Sequence, residues 1–589
     1  MVSETVELPE IEHRGTDPTF PSVREAPSPG LEAPKDQAPA RPDAKAEPVL
    51  RVANIQGNII AGFNKDYQTL LFLRITDAAA FKPWLAKFAP LVATADEVIA
   101  FNRLFKRTRD RRGVSGTVKA TWINIAFSRR GLEQLRSDVA SFTDASFQAG
   151  VVAQSASLGD PSAATAEGNP ANWRVGDADD GAHAIIIVAS DTLADLEAEV
   201  SRVEQLIYAP NFQIGAPTKS GATVIFKQEG RTQPGVLAGH EHFGFLDGVS
   251  QPGLRGRLSN LPNDVLTPRQ NPDNPNQGKP GQDLLWPGEF IFGYQGQDGK
   301  AADINQPGRD SMLDDSNQPR VPDWARDGSY LVFRRLRQDV GGFHNFLNDQ
   351  SANLNVAPTF LGAKLVGRWP SGAPIMRAQT TDDPALGDDD CANNNFEFQD
   401  ATDHTQQPRG RNQCQDTTFP TSPGDKTGDI CPFAAHIRKS YPRDDEADPQ
   451  NPGYGDEKPN LPNEVDTQTH RLLRRGIPFG DSSRSTPGVP INDGVDRGLL
   501  FMAYMTSIAN QFEFVTKNWV NNADFKDPGS GIDPILGQAD NAGDRTRTFK
   551  VKLSGNDQSL QTGADWVIPT GGGYFFAPSI KALAGELTS

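Results

Sequence analysis

An aspartate in the segment HFGFLDGVSQPG stands almost alone among glycines and apolar residues. Asp247 follows Gly244, Phe245 and Leu246 and precedes Gly248. Burying an isolated carboxylate is costly, so a residue of this type needs a reason to be there. One interpretation is a turn residue, because LDG is a good hairpin-turn signal in which Gly supplies a positive φ. The other is a proton carrier that serves a reacting group.

A histidine in CPFAAHIRKSYPR is the second candidate for chemistry. The chain has only 8 histidines, and no HExxH pair occurs. His436 follows apolar residues and precedes Arg438, Lys439 and Arg443. This combination is typical of a neutral imidazole that binds haem iron, with cations nearby that meet the propionates. The alternative is a core histidine with a satisfied ring beside a basic surface cluster.

Two adjacent arginines, Arg474 and Arg475 in HRLLRRGIPFG, would ordinarily be taken as exposed side chains.

His240 and His242 flank Glu241 and superficially resemble a metal pair, but no third ligand is evident. No GxSxG, Walker loop or GxGxxG placed between a strand and a helix is present. Hydrolase, NTPase and dinucleotide-binding functions therefore have no support.

The composition limits the class of protein. The 589 residues are enough for two or three domains, and 37% hydrophobic residues allow a sizeable core. The net charge of -17 repels nucleic acid and anionic membranes, so neither is expected as a partner. No apolar run of membrane-spanning length, signal peptide or glycosylation sequon is evident, which favours a cytoplasmic protein. The 3 cysteines exclude a disulfide framework and leave one bridge open, Cys391 to Cys414.

Apolar patterning predicts an α+β first half. Four segments that are apolar or that alternate between apolar and polar residues predict strands: Gln68–Ile75, Thr121–Phe127, His183–Ser190 and Thr223–Phe226. A short helix is predicted after the first strand. Over 191–208, five apolar residues at spacings of three and four predict one helical face: Leu193, Leu196, Val200, Val203 and Ile207. Ser190 or Asp191 is expected to cap this helix. The resulting order of elements is that of a ferredoxin-like sandwich, with helices on one face of an antiparallel sheet.

The second half repeats this pattern. Strands are predicted at Glu289–Tyr294, Ser329–Leu336, Leu499–Tyr504 and Gly573–Pro578. Helices are predicted over 338–349 and over a segment in which Ile508, Phe512, Val515 and Trp519 share one face. We therefore predict two ferredoxin-like domains, 49–285 and 286–589, after a disordered Pro-rich acidic tail at 1–48. The polar segments 378–428 and 442–466 are expected to be solvated inserts in the second domain.

Taken together, these segments resemble the dye-decolorizing peroxidases, haem enzymes of the dimeric α+β-barrel superfamily. The resemblance spans about 50–589 except the inserts and is nearest the larger fungal-type members. It rests on NIQGNIIAGFNKDYQTLLFLRI, the GxxDG motif in GFLDGVSQPG, CPFAAHIRK, LLRRGIPFG, RGLLFMAY, QFEFVTKNWVNN and GGYFFAPS. GxxDG alone is short and common, but its succession with the CPFAAHIRK and RRGIPFG blocks is highly specific. The resemblance implies two ferredoxin-like halves with haem in the C-terminal half.

The resemblance assigns roles to the candidates named above. His436 matches the proximal haem ligand of the family, and Asp247 matches its distal acid. Arg474, the first arginine of its block, matches the distal arginine. Arg438 lies in the same block as His436 and is expected to help bind the haem.

The resemblance also assigns residues around the haem. Leu499 and Phe501 match the apolar residues that narrow the distal pocket. Some fungal members have a tyrosine radical site where this chain has Phe479, which cannot form a tyrosyl radical. Trp519 matches a tryptophan proposed for the same electron relay and is the better candidate. The alternative for Trp519 is core packing, because it lies on the apolar face of a helix.

The implied enzyme reduces H2O2 with one haem b per chain and oxidises dyes, phenols or similar aromatic reductants. Mn²⁺ is a further candidate reductant, because the acidic surface could present a cation site. One alternative is a haem protein without peroxidase turnover, such as a carrier or a chlorite dismutase-like relative. Another is a non-haem interaction protein that binds calcium or a partner through its polar inserts. The resemblance also allows secretion, so the compartment stays open, as does the oligomeric state.

Overall fold

The computed structural model describes residues 47–112, 118–176, 181–208, 220–259, 266–271, 274–278, 282–300, 305–401, 418–445, 463–538, 544–553 and 555–589. The predicted tail at 1–48 lies outside these residues apart from its last two positions. Within these ranges no helix is long and apolar enough to cross a membrane.

The first half folds as the patterning predicts. Its main elements are β1 (Tyr67–Ile75), α1 (Ala78–Phe88), α2 (Ala95–Arg112), β2 (Thr121–Phe127), β3 (Ala184–Ser190), α3 (Leu193–Tyr208) and β4 (Ala222–Arg231). The strands are antiparallel in the order β2-β3-β1-β4, which is the ferredoxin-like order. In α3, four of the five predicted face residues are buried, and Leu193 is exposed.

The cap of α3 lies later in the chain than predicted. The side chain of Thr192, rather than Ser190 or Asp191, accepts a hydrogen bond from the Asp195 N–H at 3.2 Å. Asp191 has other partners, because its carboxylate bonds Lys65 at 2.5 Å and a backbone N–H before β2 at 2.8 Å. The acid therefore ties the starts of β1 and β2 together instead of capping the helix.

The second half repeats the strand order of the first. Its main elements are β5 (Ser329–Gln338), α4 (Val340–Leu354), α5 (Pro358–Val366), α6 (His436–Ser440), α7 (Asn463–Gln468), β6 (Leu473–Arg474), β7 (Ile477–Phe479), β8 (Gly498–Met505), two π-helical segments (Ala509–Glu513 and Val515–Val520), β9 (Arg547–Leu553), β10 (Asn556–Thr562) and β11 (Val567–Ala577). The strands β6 and β7 pair with β8, β8 pairs with β5, and β5 pairs with β11. This is again the ferredoxin-like order, with β6 and β7 together in the place of the second strand. A separate hairpin is formed by β9 and β10.

Shorter elements connect the main ones. Short helices lie at Gly57–Ile60, Arg129–Glu133, Ala145–Ala149, Val151–Gln154 and Pro384–Asp388, with a π-helical turn at Ala582–Glu586. Turns of 3₁₀ helix lie at Ala89–Leu91, Val139–Ser141, Pro170–Asn172, Gly235–Leu237, Pro287–Glu289, Asp323–Ala325 and Ala392–Asn394. Two small strand pairs complete the set: Gly253–Leu254 with Leu284–Leu285, and Gln295–Gln297 with Pro307–Asp310.

Both halves contribute to one nine-stranded sheet in the described chain. The strand β2 of the first half meets β11 of the second through the pair Phe127–Phe576. Apolar side chains cover both faces of this sheet. One cluster joins it to α1, α3 and the first π-helical segment, and another joins it to α2 on the opposite face. The helices are therefore not confined to one face, and the domain limits 49–285 and 286–589 stay predictions.

The predicted strand Glu289–Tyr294 is wrong. The chain forms a 3₁₀ turn at Pro287–Glu289, and the N–H groups of Phe290 and Ile291 bond back to the carbonyl of Pro287. Phe290, Ile291 and Phe292 are completely buried. The apolar run therefore reflects burial of a compact turn, which a short apolar segment cannot distinguish from a strand.

The prediction that 378–428 is solvated is wrong for 386–387 and 392–398, which are buried, whereas 379–382 is exposed as predicted. Leu386, Phe396 and Phe398 are completely buried. They belong to an apolar cluster that also contains Cys431 and Ala435, the residues flanking the start of α6. A few large apolar side chains among many polar ones therefore anchor this segment beside His436.

Parts of both polar segments lie outside the described residues. Cys391 is disulfide-bonded, but Cys414, the partner predicted for it, is not among the described positions. Most of the segment 442–466 is also outside them. Its described start is not solvated, because Arg443 and Asp445 are buried.

Candidate active site

The loop that contains Asp247 is organised by a carboxylate six residues earlier. Glu241 accepts hydrogen bonds from the N–H groups of Phe243 and Phe245, both at 2.8 Å, and from the side-chain amide of Gln338 at 2.5 Å. Gly244 and Gly248 have φ values of 96° and 75°, which other residues rarely adopt. The sequence HFGFLDG therefore forms a tight loop with Asp247 near its end, as the turn interpretation expects.

Asp247 also has an arginine partner. Nη1 of Arg474 donates to Oδ1 of Asp247 at 3.1 Å, and Nη2 donates to the carbonyl of Ser250 at 3.0 Å. The Gly248 N–H donates to the same Oδ1 at 2.6 Å. Within the described chain, Oδ2 of Asp247 has no hydrogen-bond partner. The acid is thus both a turn residue and one member of an ion pair with a free oxygen.

A glutamine joins the two segments that present this pair. The backbone N–H of Arg474 donates to the side-chain carbonyl of Gln251, and the amide of Gln251 donates to the backbone carbonyl of Arg474, each at 3.3 Å. Arg475, by contrast, faces away and donates to the carbonyls of Asn58, Ile59 and Ile60. Of the two adjacent arginines, only Arg474 therefore belongs to the site.

The protonation of Asp247 reflects these neighbours. Burial alone would raise the pKa of its carboxyl, but the charge of Arg474, the Gly248 N–H and the charge of His436 together hold that pKa below its usual value. The side chain is nevertheless 37% accessible.

His436 begins α6 and is oriented by an acid from a distant loop. Its Nδ1 lies 2.7 Å from Oδ2 of Asp533, which is completely buried. Oδ1 of Asp533 accepts the N–H groups of Ile535 and Leu536, which fixes the carboxylate. Among the described residues, Nε2 of His436 has no hydrogen-bond partner, and the side chain is 28% accessible. An imidazole held in this way presents one free nitrogen to the space in front of it.

The three groups lie within electrostatic range of one another. Burial lowers the pKa of His436, but the charge and hydrogen bond of Asp533 outweigh it, so the pKa of the imidazole is raised. Arg474 lowers that pKa and Asp247 raises it by smaller amounts. His436 and the Asp247–Arg474 pair therefore influence each other electrostatically although they come from separate parts of the chain.

Leu499 and Phe501 lie on the sheet face that bears Arg474. Arg474 is directly opposite Ala503 in the pairing of β6 with β8, and alternate residues of a strand share one face. Leu499 and Phe501 are both half-buried on this face, whereas Leu500 between them is completely buried. The structure thus brings both predicted pocket residues to the side of the arginine.

The structure corrects the prediction for Arg438. Its guanidinium is completely enclosed and bonds the carboxylates of Asp425 and Asp445 and the carbonyl of Cys431. All five of its N–H donors are used in these bonds, so none is available for a haem propionate. Lys439 and Arg443 are likewise buried and bonded to backbone carbonyls. The basic cluster after His436 is therefore an internal frame for α6.

Trp519 is buried in the described structure, with only 1% of its surface accessible. Its ring stacks on Phe525 and meets His470 and Phe514 edge-on at centroid distances of 5.3 and 5.4 Å. The packing alternative for Trp519 therefore has direct structural support. A bulky reductant does not reach this ring directly.

Two functional neighbours were missed by sequence reasoning. Asp533 is 97 residues from His436 in a Gly-rich segment, and no spacing rule joins the two. The only available signal was an aspartate followed by proline after a helix, which is typical of a turn. Glu241 was considered only as the residue between two histidines. Its partners show that it organises the loop, while Nε2 of His242 donates to the carbonyl of Phe479 at 2.8 Å.

Two cavities lie away from these candidate residues. A cavity of about 120 Å³ is lined by residues of β11 and the segment after β2, and one of about 390 Å³ by residues of β4, β5 and β7. None of the predicted site residues lines either cavity. In the part of the chain that is described, no group of three or more His, Cys, Asp or Glu side chains could hold a metal ion.

Comparison with known families agrees with this fold. The DyP dimeric alpha+beta barrel domain matches residues 54–220, and the C-terminal domain of Dyp-type peroxidases matches residues 458–529. These matches fall on the first ferredoxin-like half and on the segment that contains Arg474, Leu499 and Phe501. The antiparallel α+β fold and these two matches point to the class of Dyp-type peroxidases.

Individual relatives extend the match over most of the chain. The chain is 31% identical over 579 residues to dye-decolorizing peroxidase msp1 of Mycetinis scorodonius, covering 95% of this chain and 92% of the relative. It is 31% identical over 550 residues to dye-decolorizing peroxidase AauDyP1 of Auricularia auricula-judae, covering 92% and 87%. The chain belongs to the dye-decolorizing peroxidases, and its likeness to fungal members confirms the expectation from the sequence.

Solved structures show the same likeness. An ancestral D-type dye decolorizing peroxidase superposes with a TM-score of 0.68 at 33% identity, over 92% of this chain and all of the other. A complex of a dye-decolorizing peroxidase with 2,6-dimethoxyphenol superposes with a TM-score of 0.65 at 28% identity, over 92% of this chain and 100% of that one. This chain is therefore a dye-decolorizing peroxidase, and its family implies a haem cofactor and H2O2 as oxidant.

Proposed function

We propose that His436 would bind the iron of one haem b per chain, and that Asp247 and Arg474 would act on the peroxide that reacts with that haem. The observation that supports this most directly is the electrostatic coupling of three groups from separate segments. The Asp247–Arg474 ion pair and His436 influence each other's protonation, and within the described residues neither Nε2 of His436 nor Oδ2 of Asp247 has a hydrogen-bond partner. A haem carrier has no need of a paired acid and guanidinium in that place.

The residues of the candidate active site fit a haem. Nδ1 of His436 is committed to Asp533, so Nε2 is the atom that would bind iron. Histidine ligands usually donate their second N–H to a carboxylate, which fixes the ring and makes the ligand more basic. When bound, the haem iron supplies the redox centre that takes up the oxidising equivalents of H2O2. Asp533 is proposed as a positioning residue for His436.

Asp247 is proposed as the acid–base group. Its carboxylate would accept a proton from one oxygen of H2O2 and return it to the other oxygen, which then leaves as water. The lowered pKa of Asp247 keeps the carboxylate ionised and ready to accept the proton. Oδ1 is held by Gly248 and Arg474, so Oδ2 is the oxygen that would carry the proton.

Arg474 is proposed as the fixed positive charge of the site. Negative charge develops on the departing oxygen as the O–O bond stretches, and a preorganised cation stabilises it. Bonds to Ser250 and Asp247 hold the guanidinium in place before peroxide arrives. Electrostatic stabilisation of this kind is commonly the largest single contribution to catalysis.

Leu499 and Phe501 are proposed to keep the space beside Arg474 narrow, so that peroxide enters and bulky reductants do not. Dyes and phenols would then be oxidised at the haem edge or through a relay to the surface. The complex of a relative with 2,6-dimethoxyphenol supports phenols as reductants. We retain Trp519 as a relay residue that would act through its neighbouring rings, because its own ring is buried. Mn²⁺ stays a further candidate reductant.

Spectra of the purified, haem-loaded protein test this function. A Soret band that changes rapidly on mixing with H2O2, with dye oxidation in the steady state, is the expected result. A Soret band that is inert to peroxide would instead favour a carrier or a chlorite dismutase-like relative. The absence of a Soret band after haem loading would reject the haem site.

A comparison of reductants would define the substrate range. An anthraquinone dye, a small phenol and Mn²⁺ are oxidised side by side at equal enzyme and H2O2 concentrations. We expect the dye and the phenol to be oxidised. An enzyme that oxidised only Mn²⁺ would contradict the proposed aromatic specificity.

A further inference from the structure

A buried tyrosine on the sheet face of Arg474 has a carboxylate as its hydrogen-bond acceptor. Tyr574 in β11 is 4% exposed, and its hydroxyl donates to Oε1 of Glu513 at 2.8 Å. Glu513 lies on the first π-helical segment and is itself 4% exposed. A phenol placed in this way has an acceptor ready for its proton.

The sheet register relates Tyr574 to the candidate active site. Arg474 is directly opposite Ala503, and Ala503 is directly opposite Val332. Val332 is in turn opposite Tyr574. Directly paired residues face the same side of a sheet, so Tyr574 lies on the face of Arg474. With neighbouring strands about 4.8 Å apart, three steps separate the two backbones by about 14 Å.

Packed rings lie between Tyr574 and the predicted pocket. The ring of Tyr574 meets Phe512 edge-on with centroids 6.2 Å apart. Phe512 is 5.9 Å from Phe501, which is half-buried on the face of Arg474. Close packing between a donor and an acceptor shortens the gaps that an electron crosses. The rings therefore provide a continuous path between Tyr574 and the pocket.

The carboxylate of Glu513 connects the phenol to a surface cation. Its Oε2 is 2.8 Å from Nζ of Lys517, and the side chain of Lys517 is 28% accessible. Lys517 also donates to the side chain of Gln154 at 3.3 Å. A proton received by Glu513 is thus next to a solvated group rather than isolated in the core.

Two other tyrosines of the described chain have carboxylate partners, but both lie under a guanidinium. Tyr294 donates to Asp327 and has Arg51 over its ring at 4.7 Å. Tyr441 donates to an aspartate and has Arg471 over its ring at 3.5 Å. A cation on the ring face opposes the loss of an electron from that ring. Within the described residues, no guanidinium or ammonium lies over the ring of Tyr574.

We propose that Tyr574 is a redox-active tyrosine that loses one electron to the peroxide-oxidised enzyme and one proton to Glu513. The inference rests on the proposed haem site, whose reaction with H2O2 supplies the oxidant. The phenolic O–H bond breaks, an O–H bond forms on Glu513, and the oxidised enzyme is reduced by one electron. The neutral phenoxyl radical is reduced back to the phenol when an aromatic reductant returns an electron and Glu513 returns the proton.

The test is electron paramagnetic resonance of the haem-loaded full chain, frozen shortly after mixing with H2O2 and without reductant. We expect a tyrosyl signal that narrows when the protein is made with ring-deuterated tyrosine. Tyr574→Phe should reduce the signal to background. Glu513→Gln should do the same without changing the ring, because an amide does not accept the proton.

Tyr330→Phe is the matched control. Tyr330 lies on the same face of the same sheet and is 1% exposed, but its hydroxyl is without a hydrogen-bond partner in the described structure. The control should keep the full signal. A signal that survives Tyr574→Phe, or one lost equally in Tyr330→Phe, would overturn the assignment. A wild-type Soret band that reacts with H2O2 without any tyrosyl signal would reject this inference and leave the proposed function standing, whereas an unreactive band would reject the proposed function itself.

Discussion

Nδ1 of His436 lies 2.7 Å from Oδ2 of Asp533, and the second oxygen of Asp533 is fixed by two backbone N–H groups. The imidazole is therefore oriented before any ligand binds. The acid also raises the pKa of the ring, which shows that the pair is electrostatically coupled. By holding Nδ1, Asp533 fixes the orientation of the ring and so influences what Nε2 of His436 can bind.

Asp533→Asn tests this coupling in the haem-loaded protein. The amide keeps the shape but loses the charge, so His436 becomes less basic and the oxidised iron is less stabilised. We expect the reduction potential to rise and the peroxidase rate to fall by about 10- to 100-fold. A redox titration measures the first effect. Asp339→Asn, which alters the cap of α4 only, is the control, and an unchanged potential in Asp533→Asn would contradict the coupling.

His436→Ala removes the proposed iron ligand. We expect loss or strong weakening of the Soret band after haem loading, because no other residue has been assigned to that position. Absorbance spectra of the purified variants measure this directly. His240→Ala, at a half-buried histidine that is not assigned to the iron, should keep the normal band. Full retention of the band in His436→Ala would exclude His436 as the ligand.

Asp247→Asn removes the proposed proton acceptor and preserves the size of the side chain. The reaction with H2O2 should slow by about 10²–10⁴-fold, the range typical of a general acid–base residue. Stopped-flow recording of the Soret band measures the rate. Asp481→Asn, which replaces another acid paired with an arginine, Arg231, should leave the rate unchanged. Equal rates for Asp247→Asn and the wild type would contradict the proposed acid–base role of Asp247.

The adjacent arginines should have separable effects. Arg474→Leu should slow the peroxide reaction by about 10²–10³-fold with little loss of stability, because it removes a preorganised charge. Arg475→Leu should lower the free energy of unfolding by about 3 kcal/mol or more, since buried carbonyls lose their donor. Stopped-flow rates and denaturant unfolding separate the two outcomes. The reverse assignment would move the catalytic role to Arg475.

The acid limb of the pH profile should report Asp247. Its pKa is lowered by Arg474 and Gly248 against the effect of burial, so it lies below the ordinary value of about 3.9. A base acts when it is ionised, so the rate with H2O2 should stay constant above that pKa and fall as the pH drops through it. In Arg474→Leu the limb should move to higher pH. An acid limb near neutral pH in the wild type would contradict the proposal.

Much of the fold could be predicted because apolar runs at strand spacing are local signals. Strands such as Thr121–Phe127 agree with the sequence to the residue. The apolar run at Glu289–Tyr294 was wrongly predicted as a strand, because a turn that is buried on all sides has the same continuous apolar sequence as a buried strand. The buried aromatic residues of 378–428 were missed because they are few among polar neighbours.

The candidate site was predictable only in part. Asp247, His436 and Arg474 lie in motifs, and in the structure they influence each other electrostatically. Arg438 was assigned to the haem because it is a cation near His436, yet its partners, Asp425 and Asp445, are acids that no local pattern connects to it. Contacts of this kind depend on the complete tertiary fold, which spacing along the chain does not encode.

Gln251 and Arg474 exchange two hydrogen bonds across 223 residues of chain. Closing so long a loop is slow and occurs late, because its entropy cost precedes the contacts that compensate for it. A chain that has completed only its N-terminal sheet cannot yet present the acid beside its guanidinium. The rate at which reactivity towards H2O2 recovers during refolding should therefore report the last docking step. Spectroscopic signals of the backbone should report the earlier formation of helices and strands.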